Sequence, residues 1–205
     1  MLTRLTEIDE NATPLPIENL DTDQIMPKQF LRIIDKAGLR EGLLYDLRFD
    51  AAGEPRPDCV LNQTAYRGAR ILIGGSNFGC GSSREHAVWG LQQFGFEAVI
   101  APSFAEIFYS NAMNNRLLLV QLDREAVDVL MQDAATRPAA RLHIDIEQQT
   151  VTAASGRVFT FPLGARHKQM VIEGMDIIDL TLASLPAIEA FERTHFKRHP
   201  WAAVL

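Results

Sequence analysis

Between Gly74 and Gly90 the chain reads GGSNFGCGSSREHAVWG. Glycines at 74, 75, 79 and 81 give the backbone access to positive φ and to close approach by a ligand. Ser82 and Ser83 then supply two hydroxyls, and Arg84 supplies a permanently charged fork that suits a carboxylate bidentately. The loop follows an apolar run, ARILIGG, and precedes REHAVWGLQQFG, which has a helical pattern. Open α/β sheets place ligand sites in such strand-to-helix loops, where helix N-termini offer unpaired N–H groups to anions. The chemistry indicated is anion binding beside a hydroxyl. Ser82 and Glu85 also fit the S-x-x-E capping box, which predicts a helix start near Ser83 and gives Ser82 a purely structural use.

Three known patterns fail here. The Walker loop needs Lys-Ser/Thr after its last glycine, and Ser82-Ser83 follow Gly81. The dinucleotide fingerprint is met at Gly79 and Gly81 but has Arg84 in place of its third glycine. The nucleophile elbow begins at Gly74 but meets Phe78 where it needs glycine. Other residues that could do chemistry read more simply as structural. His86 lies inside the helical pattern and reads as a packed or hydrogen-bonded ring; Cys80 reads as a small filler of the loop, and Cys59 as buried. His143 and the pair Arg166-His167 read as ordinary surface choices. Phe104, Ile107 and Phe108 stand at helical spacing and read as core, whereas Asn111, Asn114 and Asn115 at the polar end of that segment are candidates to support the glycine loop.

The elements that must hold this loop follow from pattern. ARILIGG, EAVIA and RLLLVQL read as strands; REHAVWGLQQFG and PSFAEIFYSNAMNN read as helices, the second started by Pro102 and Ser103. This β-α-β-α-β order over residues 70–122 predicts a parallel core with right-handed crossovers. A short strand is expected near Ala12–Ile17, a helix in DKAGLREGLLYDLRF, a surface loop over Asp50–Asp58, and an amphipathic helix starting at Asp123. RLHIDIE, TVTAA and RVFTF predict an antiparallel meander, and the C-terminus returns to helix with breaks near Gly174 and Pro186. The fold class is therefore α/β, a single domain over residues 1–205 with a helical C-terminal extension.

Composition bounds the function. With 205 residues, 47% hydrophobic and 22% charged, the chain can bury a core of its own. A net charge of −6 argues against a nucleic-acid surface, and no apolar stretch approaches the ~20 residues of a membrane span. The N-terminal residues lack an apolar signal region, so a cytoplasmic location is expected. Two cysteines are too few for a cysteine-held cluster or the usual structural zinc site, so no metal is expected in this chain.

Taken together, NFGCGSSREHA (Asn77–Ala87), NLDTDQIMPKQFL (Asn19–Leu31) and VIAPSFAEIFYSNAMNN (Val99–Asn115) resemble the small subunits of 3-isopropylmalate dehydratase, the leucine-pathway branch of the aconitase family. The resemblance covers essentially the whole chain. It implies a swivelling β/β/α domain that works with a separate large subunit carrying a [4Fe–4S] cluster. It also implies a hydro-lyase reaction on a hydroxy-dicarboxylate, by dehydration to a cis-alkene and rehydration on the neighbouring carbon. By the same resemblance Ser82 is the catalytic base, Ser83 and Arg84 hold a substrate carboxylate, and Phe30, Leu31 and Arg32 lie in a loop that helps choose the substrate. Asp23, Lys28, Asn77, Gly79 and Gly81 are expected to fix these loops. Arg32 keeps other aconitase-type substrates open: homoaconitate, citraconate or dimethylmalate. It also has a plain reading, a solvent-facing residue at a helix start. A reading from another class, a non-catalytic anion-binding module, predicts a closed pocket within the chain; the subunit reading predicts a shallow, open site completed by another protein.

Overall fold

The computed structural model describes residues 4–32 and 38–203. Four strands run parallel: β1 (Glu7–Leu15), β2 (Ile71–Gly74), β3 (Ala98–Ala101) and β4 (Leu118–Gln121). Three more, β5 (Arg141–Asp145), β6 (Thr150–Thr152) and β7 (Val158–Thr160), form an antiparallel meander. They join the other edge of β1, giving one sheet in the order β4-β3-β2-β1-β5-β6-β7. The expected α/β class, parallel core and meander are all present.

Strands β2 and β3 are buried at every position, as a parallel sheet covered on both faces requires. Such strands read as continuous apolar runs, which is why ILIG and AVIA are legible. β1 extends well N-terminal of the expected Ala12–Ile17. Its first half carries Glu7, Asp9 and Glu10, which hide it from an apolar pattern. They sit opposite β5, where Arg141 pairs with Asp9 at 3.3 Å and His143 lies 4.0 Å from Glu7.

Between β1 and β2 come three short helices: α1 (Thr22–Ile25), α2 (Leu39–Gly42) and α3 (Tyr45–Arg48). The single helix expected in DKAGLREGLLYDLRF is thus two, and Asp35–Ala37 lie outside the described residues. Leu44 breaks it, with φ 50°. Its N–H donates to Ile25 O at 2.9 Å, and the Arg48 guanidinium donates to Leu43 O at 3.0 Å, so the local backbone is satisfied without a continuous helix. Leu43 and Leu44 both end up buried. The exposed Asp50–Asp58 loop is as expected.

The parallel strands are linked by α4 (His86–Phe94) and α5 (Glu106–Asn114), which pack on each other. α6 (Arg124–Thr136) lies against β1, β2 and β3, and its N-cap is Asp123, as the sequence indicates. α5 starts later than Pro102 and Ser103 suggest, because the Ser103 hydroxyl accepts a hydrogen bond from Asn77 N (2.8 Å) and does not cap the helix. Phe108 is buried, Phe104 half-buried, and Ile107, expected in the core, is 51% exposed: it points off the packed face. Cys59, expected to be buried, is only half-buried.

The C-terminal part is helical: α7 (Ala165–Glu173), α8 (Ile177–Leu182) and α9 (Leu185–Arg198). Gly174 ends α7 in the left-handed conformation, and Pro186 sits in the first turn of α9, where its missing N–H costs nothing. α7 buries Met170, Val171 and Ile172, whereas α8 and α9 bury no residue.

Candidate active site

Three neighbouring strands, β1, β2 and β3, deliver their C-terminal ends to one place. The segment after β2, Gly75–Glu85, is strapped on both sides. On the β1 side, Asn19 N donates to Ser76 O (2.9 Å), Gly79 N to Leu20 O (2.8 Å) and Thr22 N to Cys80 O (2.8 Å). Glu18 accepts from Ser76 N at 2.8 Å and meets Arg124 at 2.8 Å. Desolvation works against its charge, yet those two partners hold its carboxyl below the ordinary range. On the β3 side, Phe78 N donates to Ser103 O and Ala105 N to Phe78 O (3.1 and 3.0 Å). The Phe78 ring is buried edge-on against Phe104 and Phe108, which pins the middle of the loop into the core.

Two glycines are required by this path. Gly79 has φ 77°, and a Cβ there would lie 2.2 Å from the Phe108 ring; Gly81 has φ 99°. Gly74 and Gly75, expected to supply positive φ as well, do not. They permit close approach only, a Cβ on Gly75 falling 2.5 Å from Ile17 O. Asn77 takes φ 56°, with its side-chain amide donating to Asn19 Oδ1 at 2.9 Å.

Past Gly81 the chain does not enter the helix at Ser83. α4 begins at His86, its N-cap is Glu85, and no side chain caps it. The capping box expected of Ser82 and Glu85 is absent. Tertiary partners have taken both residues: Ser82 N donates to Thr22 Oγ1 at 3.0 Å, and Glu85 Oε1 accepts from Asn115 Nδ2 at 2.9 Å. Asn111 Nδ2 donates to Ser83 O at 3.1 Å, so two of the three asparagines expected to support the loop do so; Asn114 is not among these contacts. The His86 ring packs against Trp89, and Cys80 Sγ approaches Asn19 O at 3.2 Å.

Ser82 and Ser83 are exposed. Arg84 is nearly buried along its stem, with a side chain 15% exposed, and its guanidinium forms an ion pair with Asp23. The Ser82 hydroxyl lies 3.1 Å from Thr22 Oγ1 and Arg84 meets Asp23, the next residue, so the loop's serine and guanidinium both reach α1. Phe30 and Leu31 pack against the core, the Phe30 ring meeting Tyr45 at a tilt with ring centroids 5.2 Å apart. Lys28 and Arg32 are exposed, as the plain reading of Arg32 has it; the helix start expected after it falls in residues 33–37, outside the described residues. Thr22 is the residue that sequence reasoning passed over. Its signal was present: Asp21 and Gln24 form a capping box around it, which fixes Thr22 at the first position of α1.

Cavities of about 570, 460 and 440 Å³ are lined by other residues, the first by Arg70, Phe96, Glu97, Arg116 and neighbours. None of the three includes Ser82, Ser83 or Arg84. Among the described residues no group of three or more His, Cys, Asp or Glu could hold a metal ion, and both cysteines are free. The donor set of the described residues does not fit an iron–sulfur cluster. No helix of the described residues is long and apolar enough to cross a membrane.

A serine-bearing glycine loop at the C-terminal edge of a mixed sheet defines a class, and sequence comparison agrees with it. The model of the aconitase C-terminal domain matches residues 2–125, and a second model, described as LeuD_N, matches residues 128–165. A 3-isopropylmalate dehydratase small subunit from Chromobacterium violaceum is 56% identical over 96% of this chain and 92% of its own length. One from Roseobacter denitrificans is 48% identical over 97% and 98%. The crystal structure of a 3-isopropylmalate dehydratase (leuD) from Methanocaldococcus jannaschii superposes with a TM-score of 0.65 at 25% identity, covering 90% of this chain and 99% of that one. The chain belongs to the small-subunit family of 3-isopropylmalate dehydratase, within the aconitase-type proteins.

Proposed function

We propose that this chain is the small subunit of 3-isopropylmalate dehydratase, interconverting 2- and 3-isopropylmalate through 2-isopropylmaleate in leucine biosynthesis, in the cytoplasm. It acts as one swivelling domain with a helical extension, paired with a large subunit that holds a [4Fe–4S] cluster. The observation that carries this is the glycine loop's exposed Ser82, released from capping and held on α1 by Thr22, next to Asp23, which the Arg84 guanidinium engages.

In this reading Ser82 Oγ, as alkoxide, takes the proton from the substrate carbon and returns one in the hydration direction. Ser83 and Arg84 hold a substrate carboxylate, which displaces Asp23 from the guanidinium. The helix dipole, worth about 0.3–1 kcal/mol at the first turn, cannot ionise a serine. It acts here from α4, four residues downstream, where its influence has faded. The remaining stabilisation comes from Arg84, from hydrogen-bond donors on the loop, and from exclusion of water when the partner closes the face. Arg32, exposed just after the Lys28–Phe30 turn and its cap Leu31, is the feature that favours a second reading, a related hydro-lyase with a more acidic substrate.

The test is reconstitution with the cluster-loaded large subunit under anaerobic conditions, following the alkene by ultraviolet absorbance, with isopropylmalate and homocitrate offered separately. Isopropylmalate turnover that is lost in Ser82→Ala, with no turnover by the small subunit alone, is the expected result. Preference for homocitrate moves the protein to another pathway. Full activity of Ser82→Ala overturns the base assignment.

A further inference from the structure

Ser82 is held almost entirely by one side chain, and that side chain is itself buried. Thr22 is 1% exposed. Its Oγ1 lies 3.0 Å from Ser82 N, 3.2 Å from Ser82 O and 3.1 Å from Ser82 Oγ. Thr22 cannot wander: Asp21 and Gln24 cap the helix it begins, its own N–H donates to Cys80 O, and Asp21 bridges to Cys80. A β-branched side chain at a helix start also has few rotamers open to it.

The proton count decides what this cage can do. Thr22 Oγ1 accepts from Ser82 N, so one lone pair is committed. It owns one proton and has two acceptors in reach, Ser82 O and Ser82 Oγ. While Ser82 is a neutral hydroxyl, Thr22 donates to Ser82 O and its second lone pair can receive the Ser82 proton. When Ser82 is an alkoxide, the Thr22 hydroxyl turns through a small angle and donates to Ser82 Oγ. Thr22 keeps its own proton throughout; the proton taken from the substrate carbon ends on Ser82 Oγ.

We infer that Thr22 is a positioning residue for Ser82, a buried hydroxyl that switches its hydrogen bond to the ionised serine and so stabilises the base form. This rests on the assignment of Ser82 as the base. The switch needs no movement of the backbone, only a hydroxyl rotation between two acceptors already in place. A hydrogen bond to a charged group is stronger than one to a neutral group, so the switch favours the ionised state selectively. Substrate binding does not use it, because Thr22 is covered and faces the serine.

The test uses the reconstituted two-subunit enzyme. Thr22→Val keeps the shape and removes the hydroxyl; Thr22→Ser keeps the hydroxyl. Thr22→Val is expected to lower kcat by roughly 10- to 100-fold with KM within about twofold, the size of one lost charge-assisted hydrogen bond. Thr22→Ser is expected to recover kcat to within about threefold of the parent. Should Thr22→Val fail to assemble with the large subunit, Thr22→Ala and Thr22→Ser decide, since both lose the methyl and only alanine loses the hydroxyl. Parental kcat in Thr22→Val, or equal losses in the serine variant and the hydroxyl-free one, overturns the inference. Ser82→Ala separates the two levels. If it keeps full activity, the base assignment falls and this inference with it. If it is inactive while Thr22→Val turns over normally, only the role of Thr22 is wrong.

Discussion

At Ser82 the difference between a helix cap and an available hydroxyl is measurable as stability. A capping serine replaced by alanine costs about 1 kcal/mol. Ser82 caps nothing and is exposed, and Thr22 Oγ1 keeps Ser82 N and O when the serine hydroxyl is removed, so Ser82→Ala is expected to leave the unfolding free energy of the isolated chain within about 0.5 kcal/mol of the parent, read by urea denaturation. The neighbouring Gly79 is the opposite case. Alanine there meets both a positive φ and the Phe108 ring, and Gly79→Ala is expected to cost about 2–4 kcal/mol, seen as a lowered melting temperature. Arg84 shows a third kind of dependence. Its side chain is nearly buried and its charge is answered by Asp23; in the proposed function a substrate carboxylate takes the place of that internal partner.

Among the elements, α6 and α4 show how far local sequence reaches. Asp123 and Ser82 both carry N-cap signatures. Asp123 does cap α6, its carboxylate accepting from Ala126 N at 2.7 Å, because no tertiary partner among the described residues competes for it. Asp123→Ala is accordingly expected to cost about 1 kcal/mol in thermal unfolding. Ser82 fails to cap because Thr22, sixty residues away in sequence, has engaged both its hydroxyl and its N–H. The same contrast runs through the chain. Buried strands such as ILIG, and the asparagine supports at 111 and 115, were legible because their signals are local and strong. The true start of α5 was not, because Ser103 serves Asn77; nor was the acidic half of β1, whose charges make sense only opposite Arg141. The glycine loop could be found in the sequence, but the residue that cages its serine could not be weighed without the pairing of α1 to that loop.

For the molecule as a whole, the C-terminal helices divide sharply. Met170, Val171 and Ile172 of α7 are buried, while Ile178, Leu182, Phe191 and Trp201 beyond it are 65%, 54%, 64% and 82% exposed. A chain ending at Met175 is therefore expected to unfold at nearly the parental denaturant midpoint and to be more soluble. One ending at Gly164 forfeits roughly 1.5–3 kcal/mol for each buried apolar side chain of α7 and is expected to be severely destabilised. Equilibrium unfolding of the two truncations distinguishes these outcomes.

The sheet order has a consequence for biosynthesis. β1 leaves the ribosome before the other strands of its sheet, and the partner of its outer edge, β5, follows more than 120 residues later, the pair Glu7 and Asp145 lying at opposite ends of that wait. β2, β3 and β4 can complete the parallel half long before then, leaving one β1 edge without a neighbour in the nascent chain. An open edge is a template for aggregation unless it carries charge. Glu7, Asp9 and Glu10 supply it, and the same carboxylates later receive Arg141 and His143. The acidic run that disguises β1 as something other than a strand thus guards the half-made protein, then becomes the register by which the meander docks.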